Sequence, residues 1–272
     1  MNISFLNSFR QIDRCSIEIE HGVLREQLDF QTSHVNVLGP VVELAVMALR
    51  SKIWSSIAKA TLPVDIATPM RKSRSRRLET ITTETKLFTA GFMSLSEIDS
   101  DAFYRHLLNF DLLARRAMRF NKNVNQSKAL ICGALGEMVD NVCEHSQATD
   151  SGIVGFMGNE KYLDICVGDA GIGVLSSLKL NPAYAYLADA GMALSLAIED
   201  GISRYPISAG GEGRGHGFST LFRGLNSLDA DVRLRTGNYA LEISGRNSLE
   251  RVPRISEKAH LRGFVLSFRL YF

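Results

Sequence analysis

Cysteine, proline, tryptophan and long apolar runs are all scarce in this chain, and each scarcity removes a class of protein. Four cysteines in 272 residues, Cys15, Cys132, Cys143 and Cys166, form no C-x-x-C pair and no zinc-type spacing with histidine, so a disulfide scaffold or zinc finger is not encoded. They read as reduced core thiols, and a cytoplasmic location is the default expectation. No stretch approaches the ~18 consecutive apolar residues of a spanning helix, and the N-terminus lacks a basic region followed by an apolar one. No membrane partner is expected. Excess charge is lacking too: 31 Lys+Arg against 29 Asp+Glu gives a net charge of +2, so any attraction to nucleic acid must be local.

Glycine is scarce in the first half and abundant in the second. Of 22 glycines, 19 lie between Gly133 and Gly263, leaving Gly22, Gly39 and Gly91. Glycine serves positions where a backbone takes positive φ or another group approaches the main chain, so the glycine-dense part is the candidate ligand-binding part. Two regions follow: 1–120, of unassigned role, and 121–272.

In the first region a weak strand pattern spans Ser16 to Glu20, and an apolar helix spans about Pro40 to Ile57. Residues 60–77 are loop-like, with Pro63, Pro69 and five cations in the seven residues of 71–77. Such a cluster can hold phosphates, but no aromatic side chains interleave to stack on bases, so a solvated loop or a partner contact is favoured over nucleic acid. Helical pattern resumes over Ser96–Phe120.

The second region alternates helices, a hairpin and glycine turns. Gln126–Ser146 reads as a helix, Gly152–Met157 and Tyr162–Val167 as a hairpin turning at Gly158-Asn159-Glu160, and Ala188–Asp200 as a helix closed by Gly201. Another helix starts near Phe218. Segments rich in β-formers, Asp231–Thr236, Tyr239–Ser244 and Gly263–Tyr271, follow. Strands outnumber crossovers, which predicts an α+β fold with a mixed or mainly antiparallel sheet and helices on one side. The N-terminal region is expected to be smaller, α/β or mainly helical.

Three elements carry candidate chemistry. Along the helix at 126–146, Ile131, Leu135, Met138, Val139 and Val142 mark an apolar face, while Glu137, Asn141 and His145 recur every four residues. Positions i and i+4 drift by only about 40°, so these groups share one stripe. Alone, it would read as a solvent-facing stripe. After the strand YLDICVG comes Asp169-Ala170-Gly171-Ile172-Gly173, an acid at a strand end able to accept a hydrogen bond from an exocyclic amine. As a turn, D-x-G is common. The third element, Gly210 to Gly217, places glycine at 211, 213, 215 and 217 ahead of a helix, presenting N–H groups and a positive dipole end to an anion. The P-loop lysine is missing, and Pro206 in the loop-like SRYPISAGG argues against a dinucleotide fingerprint.

Taken together, these residues resemble the GHKL superfamily, the ATP-binding fold of gyrase, histidine kinases, a heat-shock chaperone and mismatch-repair ATPases. Glu137-x-x-x-Asn141-x-x-x-His145 looks like its helix motif, Asp169-x-Gly171-x-Gly173 like its first glycine motif, and Gly213-x-Gly215-x-Gly217 like its second. The resemblance covers about 121–272. It implies a two-layer α/β sandwich of the Bergerat type, with a mixed sheet and helices on one face, that binds ATP and Mg2+. Asp169 would accept from the adenine amine, with Gly171 and Gly173 shaping the purine slot. Asn141 would ligate magnesium, and Glu137 would act on the attacking water or as base in phosphotransfer. Gly213, Gly215 and Gly217 would cradle the phosphates, with Arg214 and His216 adding charge from a lid over about 176–217.

Two departures stand out. Arg262-Gly263-Phe264 occupies the place of the family's Gly-Thr in the last strand. His106 is on a helical pattern but lacks the phosphoacceptor context of histidine kinases. The implied function is a slow ATPase or protein kinase of this type acting on a protein partner, with a homodimer as a further candidate assembly. The alternatives are a non-hydrolysing ATP-responsive module, and a nucleic-acid-associated regulator working through the loop at 71–77.

Overall fold

The computed structural model describes residues 8–20, 37–50, 81–84, 89–95, 124–159, 161–199, 201–202, 218, 221–222, 230–244 and 252–271. The helices are α1 (Phe9–Glu20), α2 (Leu38–Arg50), α3 (Val124–His145), α4 (Gly173–Leu178) and α5 (Ala190–Ala197). The strands are β1 (Ile81–Glu84), β2 (Thr89–Ser94), β3 (Ile153–Gly158), β4 (Tyr162–Asp169), β5 (Ala230–Ile243) and β6 (Arg254–Tyr271). They form one six-stranded sheet in the order β1-β2-β3-β4-β6-β5. Every pairing of these strands is antiparallel, so the fold is α+β with the antiparallel one of the two sheet arrangements the sequence leaves open, and the mixed sheet that the resemblance implies is corrected. Three of the five pairs, β1–β2, β3–β4 and β5–β6, join strands that follow one another in the chain with no described helix between them, the order in which antiparallel pairing needs no crossover.

Side chains alternate across the pleat, and here both faces are covered. Leu163, Ile165 and Val167 of β4 join Leu135, Met138, Val139 and Val142 of α3 and Ala193 and Leu194 of α5 in one core. Cys166 of β4, with Ile153 and Met157 of β3, packs instead against Ile12 and Cys15 of α1 and Val41, Val42 and Ala45 of α2. The described helices of 121–272 thus share one face, while α1 and α2 cover the other, giving three layers where two were expected. β2 pairs with β3 from Thr89↔Gly158 to Ser94↔Ile153, so the sheet runs across the 120/121 division of the sequence. Among the described residues, no helix is long and apolar enough to cross a membrane.

Several local readings change. Ser16–Glu20, read as a strand, is the last part of α1, because Ile12, Cys15 and Ser16 are buried at helical spacing while Ile17 is exposed. Asp231–Thr236 and Tyr239–Ser244, read as separate strands, belong to one strand, β5, whose pairing shifts register around Gly237 (φ 52°). β6 begins nine residues earlier than Gly263. The helix expected over Ala188–Asp200 is the shorter α5, which ends at Ala197 with Ile198 as its C-cap rather than at Gly201, and is capped at its start by Asp189, whose Oδ1 accepts the Met192 N–H at 2.8 Å.

Buried charges bind α1 and α2 to the sheet. Arg233 Nε donates to Glu43 Oε1 of α2 at 2.7 Å, and its other nitrogens reach Asp13 of α1 and Glu242 of β5. Despite burial, Glu43 and Asp13 hold the Arg233 guanidinium above its ordinary range. At the start of α2, Asp164 Oδ2 of β4 accepts the Leu38 N–H at 2.8 Å, capping the helix from 126 residues away. Arg269 grips the same carboxylate with Nε and Nη2 at 2.6 and 2.7 Å. Removing one member of a buried pair strands the other. Glu43→Gln is therefore expected to lower unfolding free energy by about 3 kcal/mol, seen as an earlier urea midpoint with an unchanged slope. An unchanged midpoint would mean that Arg233 does not depend on Glu43.

Candidate functional site

The polar stripe of α3 leads to the glycine loop after β4. Glu137, Asn141 and His145 are half-buried, whereas Asp140 and Glu144 are exposed. Burial raises the Glu137 carboxyl above its ordinary value, and the charges of Asp140 and Glu144 add to the rise. Asn141 Nδ2 donates to the Glu137 carbonyl at 2.8 Å. That bond orients the amide within its own helix and uses only its nitrogen. At 1.5 Å rise per residue, Asn141 and Glu137 lie about 7 and about 13 Å along the helix from Ser146, so the stripe runs lengthwise and does not converge.

Ser146, just beyond α3, meets the loop directly. Its carbonyl accepts the Ile172 N–H at 3.0 Å. A Cβ on Gly171 would stand 2.0 Å from that same oxygen, so the approach demands glycine. On the other side the loop meets β6, where a Cβ on Gly263 (φ 95°) would fall 2.1 Å from the Asp169 carbonyl oxygen. Ser151 Oγ accepts the Ala170 N–H at 2.9 Å and donates to the Ala148 carbonyl at 2.6 Å. Thr236 Oγ1 of β5 accepts the Val174 N–H at 3.2 Å and donates to the Gly263 carbonyl at 2.7 Å. Gly173 (φ 73°) starts α4 beside that hydroxyl.

Asp169 is the chemical centre of this loop. By strand alternation it shares a face with Ile165 and Val167, the face covered by α3 and α5. It is 2% exposed, and Oδ1 accepts the Gly171 N–H at 2.7 Å. Burial pushes its carboxyl up to about 7, against the pull of that N–H. No described cation is among the causes of its shift, unlike Asp13 with Arg233 and Lys258.

The structure therefore brings Asp169, Gly171 and Gly173 together with the end of α3, and it keeps Glu137 and Asn141 on one helix edge. Gly213, Arg214, Gly215, His216 and Gly217 lie outside the described residues, as do His106 and the loop at 71–77. Phe218, immediately after the second glycine series, is described. Its ring stands 5.7 Å from that of Phe264, the residue paired with Asp169 across β4 and β6. Sequence reasoning missed Ser146, Ser151 and Thr236 as loop supports, because each acts across a distance in the chain that no local motif encodes. Gly263 was noted only as standing where Gly-Thr was expected; the hydroxyl at this junction comes from Thr236, one strand over.

No protein-family model matches the chain, and no curated protein sequence matches it either. The resemblance set out above rests on the motifs alone.

Proposed function

We propose that the chain binds ATP with Mg2+ as a GHKL-type protein and couples it to slow hydrolysis or to phosphotransfer onto a protein partner. The observation that carries this reading is the buried Asp169 carboxylate at a strand end, whose loop is drawn through Gly171 against the end of the helix bearing Glu137 and Asn141. On this reading the sheet with α3–α5 is a Bergerat-type sandwich with α1 and α2 added on its far face.

The donor set fits the groups invoked. A buried carboxylate without a cation suits an adenine amine, which brings no charge of its own. Asn141 keeps its amide oxygen, a hard ligand of the kind magnesium takes. Among the described residues no group of three or more metal-ligating His, Cys, Asp or Glu side chains gathers, so Asn141 would share the ion with phosphate and water oxygens. Bound magnesium would neutralise phosphate charge. Glu137, already pushed toward neutrality by burial, would accept the proton of the attacking water or hydroxyl. Phe218, the residue after Gly217, packs its ring beside Phe264, the partner of Asp169 across β4 and β6.

Glu137→Gln is expected to leave ATP affinity within a few-fold and to reduce phosphate release by about a hundredfold or more. Titration with ATP and magnesium, followed by a phosphate-release assay, measures both. Equal release by wild type and variant, with binding intact, would replace catalysis with ATP acting as a conformational ligand. Absence of magnesium-dependent ATP binding by the wild type would end the reading.

A further inference from the structure

We infer that Arg235, on the far face of the sheet, is a positioning residue for the Asp169 loop. The inference rests in part on the ATP-binding reading, but its first test does not. Arg235 is fully buried and points to the α1–α2 side, as Arg233 does. Its Nη1 donates to the carbonyls of Gly237 at 3.0 Å and Tyr239 at 3.3 Å, and its Nη2 donates to the Ala259 carbonyl. Nε makes no hydrogen bond and stands 4.0 Å from Glu43 Oε2. One guanidinium therefore ties three main-chain oxygens of β5 and β6.

Those oxygens lie where the two strands lose register. Thr236 pairs with Phe264, but Gly237 pairs with Leu261 and Tyr239 with Glu257, so β6 carries extra residues on both sides of Leu261. A bulge leaves ladder groups without their regular partners, and an irregular strand pair keeps one shape only if something else satisfies them. Arg235 does so. The residue before Gly237 is Thr236, whose hydroxyl holds the Val174 N–H and the Gly263 carbonyl, and Gly263 lies against Asp169 and Ala170. Thus the shape that Arg235 imposes on the bulge sets where Thr236 and Gly263 press the purine loop.

The path is readable without any nucleotide. In ligand-free full-length protein, Arg235→Lys, which keeps the charge but loses the fork, is expected to speed amide exchange at Ile172 and Val174 by about tenfold, the loss of one buried hydrogen bond's protection. Val167 and Ile165, mid-strand in β4, should keep their rates. Uniform acceleration, or none at the loop, overturns the inference. If Arg235→Lys does not fold, Thr236→Val probes the same path without disturbing the buried cations: it should accelerate the same amides, and Thr236→Ser should restore them. Unaltered loop exchange in Thr236→Val also overturns it.

A second measurement reads base recognition. ITP carries a carbonyl oxygen where ATP has its amine, so the ratio of their affinities reports the placement of Asp169. That ratio is expected to fall at least threefold in the variant that alters the loop, whereas a purely structural loss would lower both affinities alike. Should the wild type bind neither nucleotide, the ATP-binding reading fails while the exchange data still decide the role of Arg235.

Discussion

Asp169→Asn is expected to make the ligand-free protein more stable and, if the protein binds ATP as proposed, to weaken that binding at least about tenfold. Burial has pushed this carboxyl from an ordinary 3.8 up to about 7 in the folded chain. A raised folded-state value means that the fold prefers the protonated acid. The stabilisation from that preference is complete below pH 3.8, is lost progressively as pH rises, and is gone above about 7. At pH 8 the native state therefore holds a buried carboxylate at a cost on the order of 4 kcal/mol relative to a neutral side chain. Asparagine can keep an oxygen for the Gly171 N–H without that cost. The gain in melting temperature should be largest at pH 8 and shrink as pH falls below 7. Thermal melts of both proteins from pH 5 to 8, with ATP titrations alongside, test this; a variant no more stable than wild type at pH 8 would contradict it.

Gly171→Ala is expected to cost about 3 kcal/mol or more, the largest loss from any single methyl group in the loop. The new Cβ would lie 2.0 Å from the Ser146 carbonyl oxygen and 2.8 Å from Asp169 Oδ1. Neither oxygen is free to retreat, since one accepts the Ile172 N–H and the other the Gly171 N–H. Gly133 and Gly136 of α3 supply the control, for a Cβ at either meets nothing within 4 Å. Alanine there should be neutral or stabilising by up to about 1 kcal/mol through helix propensity. Urea unfolding of the three variants measures the contrast. Similar midpoints for all three would show that the loop can shift away from Ser146.

Elements whose stability comes from local pattern were legible in the sequence. The α3 stripe, the β3–β4 hairpin and the acid-glycine loop each carry their signal within a few residues. β6 was read only from Gly263 because its earlier part, RISEKAHLR, is rich in charge. That part pairs with β5 beyond the end of β4, where fewer neighbours bury it. α1 was misread because SIEIE alternates, whereas its burial follows Ile12, Cys15 and Ser16. Least legible were the buried charges: Glu43 and Arg233 are partners 190 residues apart, Asp164 and Leu38 126 apart. Likewise, nothing near Asp169 in the sequence points to Thr236 or Ser151.

β6, the last described strand along the chain, is an interior strand, with β4 on one side and β5 on the other. During synthesis the earlier strands can pair into β1-β2-β3-β4 and then wait, with one margin of β4 lacking its ladder partner until residues 264–271 have left the ribosome. Gly263 and the Thr236 contact arrive at the same late moment. The loop after β4 therefore takes its final shape only once β6 has joined the sheet, however early β3 and β4 pair.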